Sequence, residues 1–511
     1  LNNEQANRAR SPDDNGIPFD DMAPVGHEVK QEIIDSQEGY ATIQPKTEIR
    51  DNDESVIAMI CKDRLPVTIL EGAGFRELFG KLRPDVQLKP VTYYIENALP
   101  TLNDKLKEKI RIDLISASKV SLAFGTFKSH ADRPEHVSLS AYWMIPEKME
   151  PRHALFFFKT VPESSPNVLS KLIINYGIRN KTIGYISESQ RIPRICWLEN
   201  DSTKLPDFEG ILNEVIARSI YTSSPDLLRK IDRSVIDFQK VFSWREHKEI
   251  LRAVLDTSAM QNSENSSTKE NQKDTELTEE EMEVSNFVFN ILEQLQKAND
   301  QIRHRFYQTA SVIIPILKVL LHKLTNVVNN GASVSEQLIG RNVLNKLETA
   351  SNNSQKNVVL KTATFLDPRF KNEFFSECHK NYMIHHFKAR FDKVIKEEVL
   401  TEETTDFDQF VQVKSSTSPS EPKIVCLEKE IEAYLCKDTN SKTDPTDFWM
   451  QNQSQLPILK SLASEYLPIP ASASGTEKLF EDGQKMISKG FISGIRDDFI
   501  FCSANIAGYG C

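Results

Sequence analysis

The amino-acid sequence predicts an α/β protein in which helices surround a mixed β-sheet. Strand-like segments cluster between Lys119 and Leu198, where apolar and polar residues alternate or form short apolar runs. Helical spacing of apolar residues dominates the chain before and after that stretch. Three strands followed by alternating helix and strand are typical of a mixed sheet with helices packed on it.

The N-terminal part of the chain is predicted to change from disorder to helix. Residues 1–52 are polar, acidic and interrupted by proline, with too few apolar side chains to offset the entropy cost of folding. Within this tail, Val29–Glu32 resembles a SUMO attachment site, so Lys30 is a candidate for that modification; the alternative is a solvated charge cluster. Helical spacing begins near Asp53, so residues 53–116 are expected to be a helical region that precedes the sheet.

Four segments are predicted to be strands of one sheet. The first three follow one another closely, with polar turns between them, and are expected to form an antiparallel meander. A helix over Ser165–Tyr176 leads to the fourth strand, and a fifth strand is expected at Arg194–Leu198. The four segments are Lys119–Gly125, Val137–Trp143, Ala154–Phe158 and Thr182–Ile186.

Helices and polar connections are predicted for the remainder of the chain. The apolar segment Val312–Leu321 contains a proline and a lysine and is expected to be a buried helix. The predicted divisions are a first part of the sheet region at 117–256, a Ser-, Asn- and Glu-rich linker at 257–283, a helical insertion at 284–400, a polar linker and helix at 401–446, and a compact apolar region at 447–511.

Composition excludes several classes of protein. Lys and Arg number 63 against 73 Asp and Glu, and the resulting net charge of −10 argues against a surface that is basic all over. The seven cysteines include no C-x-x-C pair, so neither a disulfide framework nor a zinc module is indicated, and a reducing compartment is expected. No run of about 18 apolar residues occurs, so we expect no membrane span.

An ordered string of motifs near the C-terminus carries a family resemblance. Trp449 is followed by Leu456–Ala463, then by Tyr466–Ser474 and then by Thr476–Gly483. This order resembles the C-terminal dimerisation region of hAT-superfamily transposases, and Phe365–Lys371 is similar to the L-D-P-R-F-K motif of the same family. The resemblance extends to the BED-finger hAT group, which includes host proteins derived from transposases.

The resemblance implies an RNase H-like core that the C-terminal region completes, and it implies a dimer. The C-terminal segment crowds more apolar side chains into about four turns than one helix stripe usually needs, which favours a dimer surface; the alternative is internal core. The residues expected to form the dimer surface are Trp449, Leu456, Leu459, Leu462, Tyr466, Leu467 and Phe480.

In that family, three carboxylates of the core hold two divalent metal ions that catalyse DNA strand transfer. Gly125 stands at the first of these positions, and a glycine offers a cation nothing beyond its backbone carbonyl. Glu188 stands at the second, where the family has Asp, and Glu477 matches the third. These departures predict a degenerate site with no catalytic residue, and we expect no metal or other cofactor in this chain.

The resemblance and its departures together predict a catalytically inactive, transposase-derived nuclear protein that acts in DNA binding or transcription regulation as a dimer. A zinc-binding BED finger outside this chain would supply the DNA contacts. Two alternatives stay open. The chain could be an active hAT DNA transposase that performs metal-dependent strand transfer, or a protein–protein scaffold without a DNA role.

Overall fold

A five-stranded mixed sheet lies at the centre of the protein, seen in a computed structural model, and helices pack on both faces of the sheet. The structure describes residues 51–127, 136–160, 166–187, 203–223, 248–256, 277–301, 309–329, 333–375, 381–389, 423–473 and 493–509, together with isolated positions from 479 to 486.

The strands are β1 (Val120–Phe127), β2 (His136–Ile145), β3 (Glu150–Thr160), β4 (Thr182–Ser187) and β5 (Thr203–Leu205). Their order in the sheet is β3-β2-β1-β4-β5. β1 pairs antiparallel with β2 and β2 with β3, whereas β1 with β4 and β4 with β5 are parallel. The four predicted strands and the antiparallel meander are confirmed. The fifth predicted strand, Arg194–Leu198, lies outside the described residues.

One face of the sheet is covered by helices from three parts of the chain: before β1, between β3 and β4, and near the C-terminus. The helices are α1 (Asp51–Asp63), α2 (Ala73–Leu82), α3 (Leu99–Ser116), α4 (Pro166–Asn175) and α13 (Ser493–Tyr509), the last labelled by its place in the chain. Side chains of α1, α3, α4 and α13 share a core with Leu122 and Phe124 of β1.

The opposite face of the sheet is covered by a second group of helices, which share a core with Ala123 of β1. They are α5 (Phe208–Ser223), α6 (Glu279–Gln301), α7 (Ile313–Asn329), α8 (Val334–Lys356), α9 (Val358–Leu366), α10 (Lys423–Cys436), α11 (Pro445–Gln451) and α12 (Pro457–Tyr466). β1 is therefore buried on both faces.

Helix α7 is the buried helix that the apolar segment predicts. Among the described helices, the stretch 310–329 is long and apolar enough to cross a membrane by length and composition alone. Its apolar side chains instead pack in the core. These are Ile313, Ile314, Pro315, Ile316, Leu317, Leu320, Leu324 and Val328.

The end of the predicted linker needs a correction. The predicted linker, 257–283, includes the acidic run Glu279–Glu281, but this run forms the first turn of α6. The Thr278 hydroxyl accepts from the backbone N–H of Glu281 at 3.2 Å, and the Glu281 carboxylate accepts from the N–H of Thr278 at 2.7 Å. This reciprocal capping box and the acidic first turn both stabilise a helix start, which composition alone does not register.

Candidate functional site

The side chain of Trp449 lies in the core beside the C-terminal end of α9. Its Nε1 donates a 3.0 Å hydrogen bond to the carbonyl oxygen of Leu366. The Tyr434 ring stacks on it with centroids 5.1 Å apart, and the Tyr434 hydroxyl donates over 2.8 Å to the carbonyl of Phe365. Burial, helped by the charge of Asp367, raises the pKa of Tyr434 well above its ordinary value. Both donors thus satisfy carbonyls that the helix end leaves unpaired.

A buried ion pair closes the turn after α9. Arg369 donates from Nε and Nη2 to the two carboxylate oxygens of Asp367 at 2.9 and 2.6 Å, and the Ser311 hydroxyl donates to the same carboxylate at 2.7 Å. Burial alone would lower the pKa of Arg369, but the hydrogen bonds and charge of Asp367 outweigh that effect and raise it. Asp367 is therefore held as an ion-pair partner, and the L-D-P-R-F motif shapes the turn that receives Trp449.

A second carboxylate caps the helix that follows Trp449. Glu430 of α10 accepts from the backbone N–H groups of Ile458 at 3.2 Å and Leu459 at 2.9 Å, which lie in the first turn of α12. Burial raises the pKa of Glu430, although these two hydrogen bonds oppose the rise. A negative charge at a helix N-terminus is favourable, so α10 fixes the start of α12.

The segment after α12 is fastened to the start of α5. Asp207, which follows β5, accepts from the Ser472 hydroxyl at 2.5 Å and from the backbone N–H of Gly210 at 3.1 Å. The backbone N–H of Phe208 also donates to the carbonyl of Ala471 at 2.9 Å. Burial raises the pKa of Asp207, and the hydrogen bonds lower it by less than burial raises it. The I-P-A-S string of the C-terminal motifs therefore docks beside the sheet.

The C-terminal helix α13 packs directly on strand β3. The Asn505 side chain accepts from the backbone N–H of Leu155 at 2.9 Å and donates to the carbonyl of the same residue at 2.9 Å. It takes the place of a neighbouring strand at the point where the register between β2 and β3 shifts. The C-terminal helix therefore packs on the β3 edge of the sheet.

The carboxyl ends of β1, β4 and β5 lie at one edge of the sheet because the three strands are parallel. Gly125 is buried near the end of β1, and Ser187, the last residue of β4, pairs with Phe124. Glu188 and Glu477 lie outside the described residues. Their predicted grouping with Gly125 therefore stays a prediction.

The described residues at this edge include Gly125 and Asp207. Gly125 has no side-chain oxygen, and the carboxylate of Asp207 is already bound by Ser472 and Gly210. Within the described ranges, no group of three or more His, Cys, Asp or Glu side chains is arranged to hold a metal ion.

Residues 427–492 match the sequence model of the hAT family C-terminal dimerisation region. The matched segment contains Trp449, the helix α12 and the docked I-P-A-S string, which are the features whose packing is described above. The chain carries a hAT dimerisation region.

Two curated proteins are similar to the chain. Zinc finger BED domain-containing protein 4 of Homo sapiens is 21% identical, over 83% of this chain and 41% of that protein. The protein tpeD of Talaromyces stipitatus, whose name describes a transcriptional regulator, is 30% identical over 24% of this chain and 16% of its own length. The chain thus spans less than half the length of either relative.

Six of the residues predicted for a dimer surface are core residues of the single chain. They are between 0% and 5% exposed, and all belong to the core on the α5–α12 face: Trp449, Leu456, Leu459, Leu462, Tyr466 and Leu467. As placed here, these side chains are not available to a second chain. The alternative of internal core is what the structure shows for them, and their part in a dimer stays a prediction. Phe480 and Lys30 lie outside the described residues.

Sequence reasoning missed the carboxylates that hold the hAT dimerisation region in place. A local signal existed for Asp207, because it directly precedes an amphipathic helix as N-cap residues do. No local signal marks Glu430, whose partners lie 28 and 29 residues away. The same is true of Asp482, inside the region, which pairs with Arg64 at the end of α1.

Proposed function

We propose that this chain is the non-catalytic body of a transposase-derived nuclear protein that associates with DNA as a dimer and regulates transcription. The observation that carries the proposal is Gly125, a residue without a side-chain donor at the β1 position where the family resemblance expects a metal-binding carboxylate.

An RNase H-like core is part of the proposal. Its support is the sheet order β3-β2-β1-β4-β5 with an antiparallel meander followed by two parallel strands, which is the order expected of such cores. In that arrangement the carboxyl end of β1 lies beside that of β4. The metal ligands of the family would be sought at this edge, where Gly125 stands.

The loss of catalysis follows from what two-metal chemistry requires. Both cations must be held about 4 Å apart by carboxylates in a fixed frame. Gly125 removes one ligand, and Glu188 would place its oxygens one methylene farther out than the family's Asp. Catalytic sites tolerate displacements of only about half an ångström. An active transposase would need another carboxylate in place of Gly125.

The regulatory role is supported by the hAT dimerisation region and by the names of the two relatives, one a BED-finger protein and one a transcriptional regulator. A net charge of −10 is consistent with a chain that does not bind DNA over its whole surface. We infer that a BED zinc finger outside these 511 residues supplies the DNA contacts and that this chain supplies the dimer.

DNA binding by the full-length protein tests the proposal against a scaffold without a DNA role. We expect the logarithm of the affinity to fall linearly with the logarithm of salt concentration, as phosphate contacts require. Affinity for DNA that stays below detection from about 50 to about 200 mM salt would favour the scaffold.

Metal binding tests the degenerate site separately from DNA binding. In a Mn²⁺ titration, we expect no specific binding to the natural chain and measurable binding to the double variant Gly125→Asp, Glu188→Asp. Strong binding to the natural chain that Glu477→Gln removes would contradict the proposed loss of the site.

A further inference from the structure

Helix α2 exposes an apolar face. None of its ten residues, all of which the structure describes, is buried. Leu78 is 57% exposed and Leu82 is 69% exposed. The half-buried rings of Phe75 and Phe79 stack on each other with centroids 6.0 Å apart and pack in part against the core that contains Ile57 and Leu70. We call these four side chains the α2 stripe.

The spacing of the α2 stripe is that of a helix–helix contact. Phe75, Leu78, Phe79 and Leu82 lie at positions i, i+3, i+4 and i+7, which form one continuous face of a helix. The charged residues Glu77 and Lys81 pair with each other at 2.6 Å and lie off that face. Phe75 and Phe79 use part of this face against the chain's own core, and the outer part, which carries Leu78 and Leu82, is left as exposed apolar surface.

The α2 stripe is tied to the hAT dimerisation region by a short stretch of chain. Arg64, at the end of α1, pairs with Asp482 of that region at 2.5 Å. The following turn, Val67–Glu71, is anchored by the buried side chains of Val67 and Leu70. Arg76 of α2 then donates from Nε to the carbonyl of Leu70 at 2.8 Å. The stripe is therefore held in a fixed position near the region named for dimerisation.

We propose that the α2 stripe docks on the same stripe of a second copy of this chain and forms part of its dimer surface; this rests on the dimer in the proposed function. Apolar side chains of the hAT dimerisation region, such as Trp449 and Leu459, lie in the interior of one chain. Self-association then needs apolar surface from another element, and α2 offers it. A two-fold axis would bring the same stripe together from both copies.

Helix α2 is too short to form the whole dimer interface. A ten-residue helix cannot by itself supply the roughly 800 Å² per partner of a stable interface. Further surface of the same chain must therefore complete the contact. The stripe would then be the apolar centre of the interface, where most binding energy concentrates.

Sedimentation of the chain and two matched double variants tests this surface. Leu78→Asp with Leu82→Asp places two charges four residues apart on α2. Val334→Asp with Leu338→Asp does the same on α8, where the side chains are 85% and 49% exposed. We expect self-association to weaken roughly 100-fold or more in the α2 variant and to be unchanged in the α8 variant. An α2 variant as dimeric as the natural chain overturns the proposal.

The α2 variant should fold normally because no buried side chain is changed, and an unchanged circular dichroism spectrum and melting temperature would verify this. A natural chain that is monomeric at micromolar concentration removes the dimer of the proposed function itself. A dimer that the α8 variant loses and the α2 variant keeps leaves that function intact and overturns only the α2 surface.

Cross-linking identifies the occupant of the stripe. At a two-fold contact, Leu78 near the stripe's centre lies close to its own counterpart, so Leu78→Cys should give a covalent dimer with a short bismaleimide. Val334→Cys is the matched control, and the natural chain gives the baseline because Cys436 is exposed. A Leu78→Cys cross-link confined within one chain would mean that another segment of the same chain covers α2, and it would overturn the proposal.

Discussion

At the scale of single residues, Trp449 and Tyr434 act together at the end of α9. Each donates a hydrogen bond to one of two consecutive carbonyls, of Leu366 and Phe365, and their rings stack. Removing a donor leaves a buried carbonyl unsatisfied, which costs about 1–3 kcal/mol. The pair therefore stabilises the single chain, whatever the oligomeric state.

We expect Trp449→Phe and Tyr434→Phe each to lower the free energy of unfolding by about 1–3 kcal/mol. The double variant should show coupling, because the two rings touch. Urea denaturation measures all three, and Tyr382→Phe, at a residue 42% exposed, is a control expected to change stability by about 0.5 kcal/mol or less. A Trp449→Phe chain with natural stability but reduced dimer mass would instead assign this residue to a dimer surface.

The contribution of Asp207 to the stability of the folded chain depends on pH. Burial raises its folded pKa above the ordinary value of 3.8, so the folded chain holds this proton more tightly than the unfolded chain does. The stability that Asp207 contributes is complete below about pH 3.8 and is lost as the pH rises through the folded value.

We therefore expect the unfolding free energy of the natural chain, minus that of Asp207→Asn, to fall from about pH 4 to about pH 7. Asparagine keeps the shape of the side chain but cannot ionise, so the subtraction isolates the titration of Asp207. Urea denaturation across that range measures it. A difference that rises with pH would mean that the bonds from Ser472 and Gly210 outweigh burial.

At the scale of elements, the contact between α7 and α8 depends on a glycine, which has no side chain, at position 340. A Cβ on Gly340 of α8 would lie 2.6 Å and 2.7 Å from the two methyl groups of Val328 of α7. Glycine weakens a helix interior by about 1 kcal/mol relative to alanine, so its place here reflects close approach of the two helices.

We expect Gly340→Ala to destabilise the chain by about 1–3 kcal/mol through overpacking, despite its better helix propensity. Val328→Ala removes the two methyl groups, so the double variant should recover most of that loss. A double-mutant cycle by urea denaturation measures the coupling. Additive effects of the two changes would show that the helices shift apart to accommodate the new Cβ.

Elements were predictable where the signal is local. The strands follow from alternation over five to eight residues, and β1 to β4 lie where the sequence places them. Composition alone places the acidic run at 279–281 in a linker and does not predict the start of α6, although Thr278 and Glu281 have the spacing of a capping box. Attention to the spacing of those two residues would have found it.

At the scale of the whole molecule, the site was only partly predictable. The motif string identified the hAT dimerisation region, which the match over residues 427–492 confirms. It did not distinguish an interface from a core, because helical spacing of apolar residues is the same in both. The difference depends on contacts such as Trp449 with Leu366, 83 residues apart, which no local pattern encodes.

We propose above that this protein holds a transposase-like architecture without transposase chemistry. The most direct test is incubation of the full-length protein with supercoiled plasmid or terminal-repeat DNA in Mg²⁺ or Mn²⁺, with strand breaks resolved on a gel. We expect the plasmid to stay supercoiled, because Gly125 cannot hold a metal ion through its side chain. Metal-dependent nicks that disappear in the Glu477→Gln variant would contradict it.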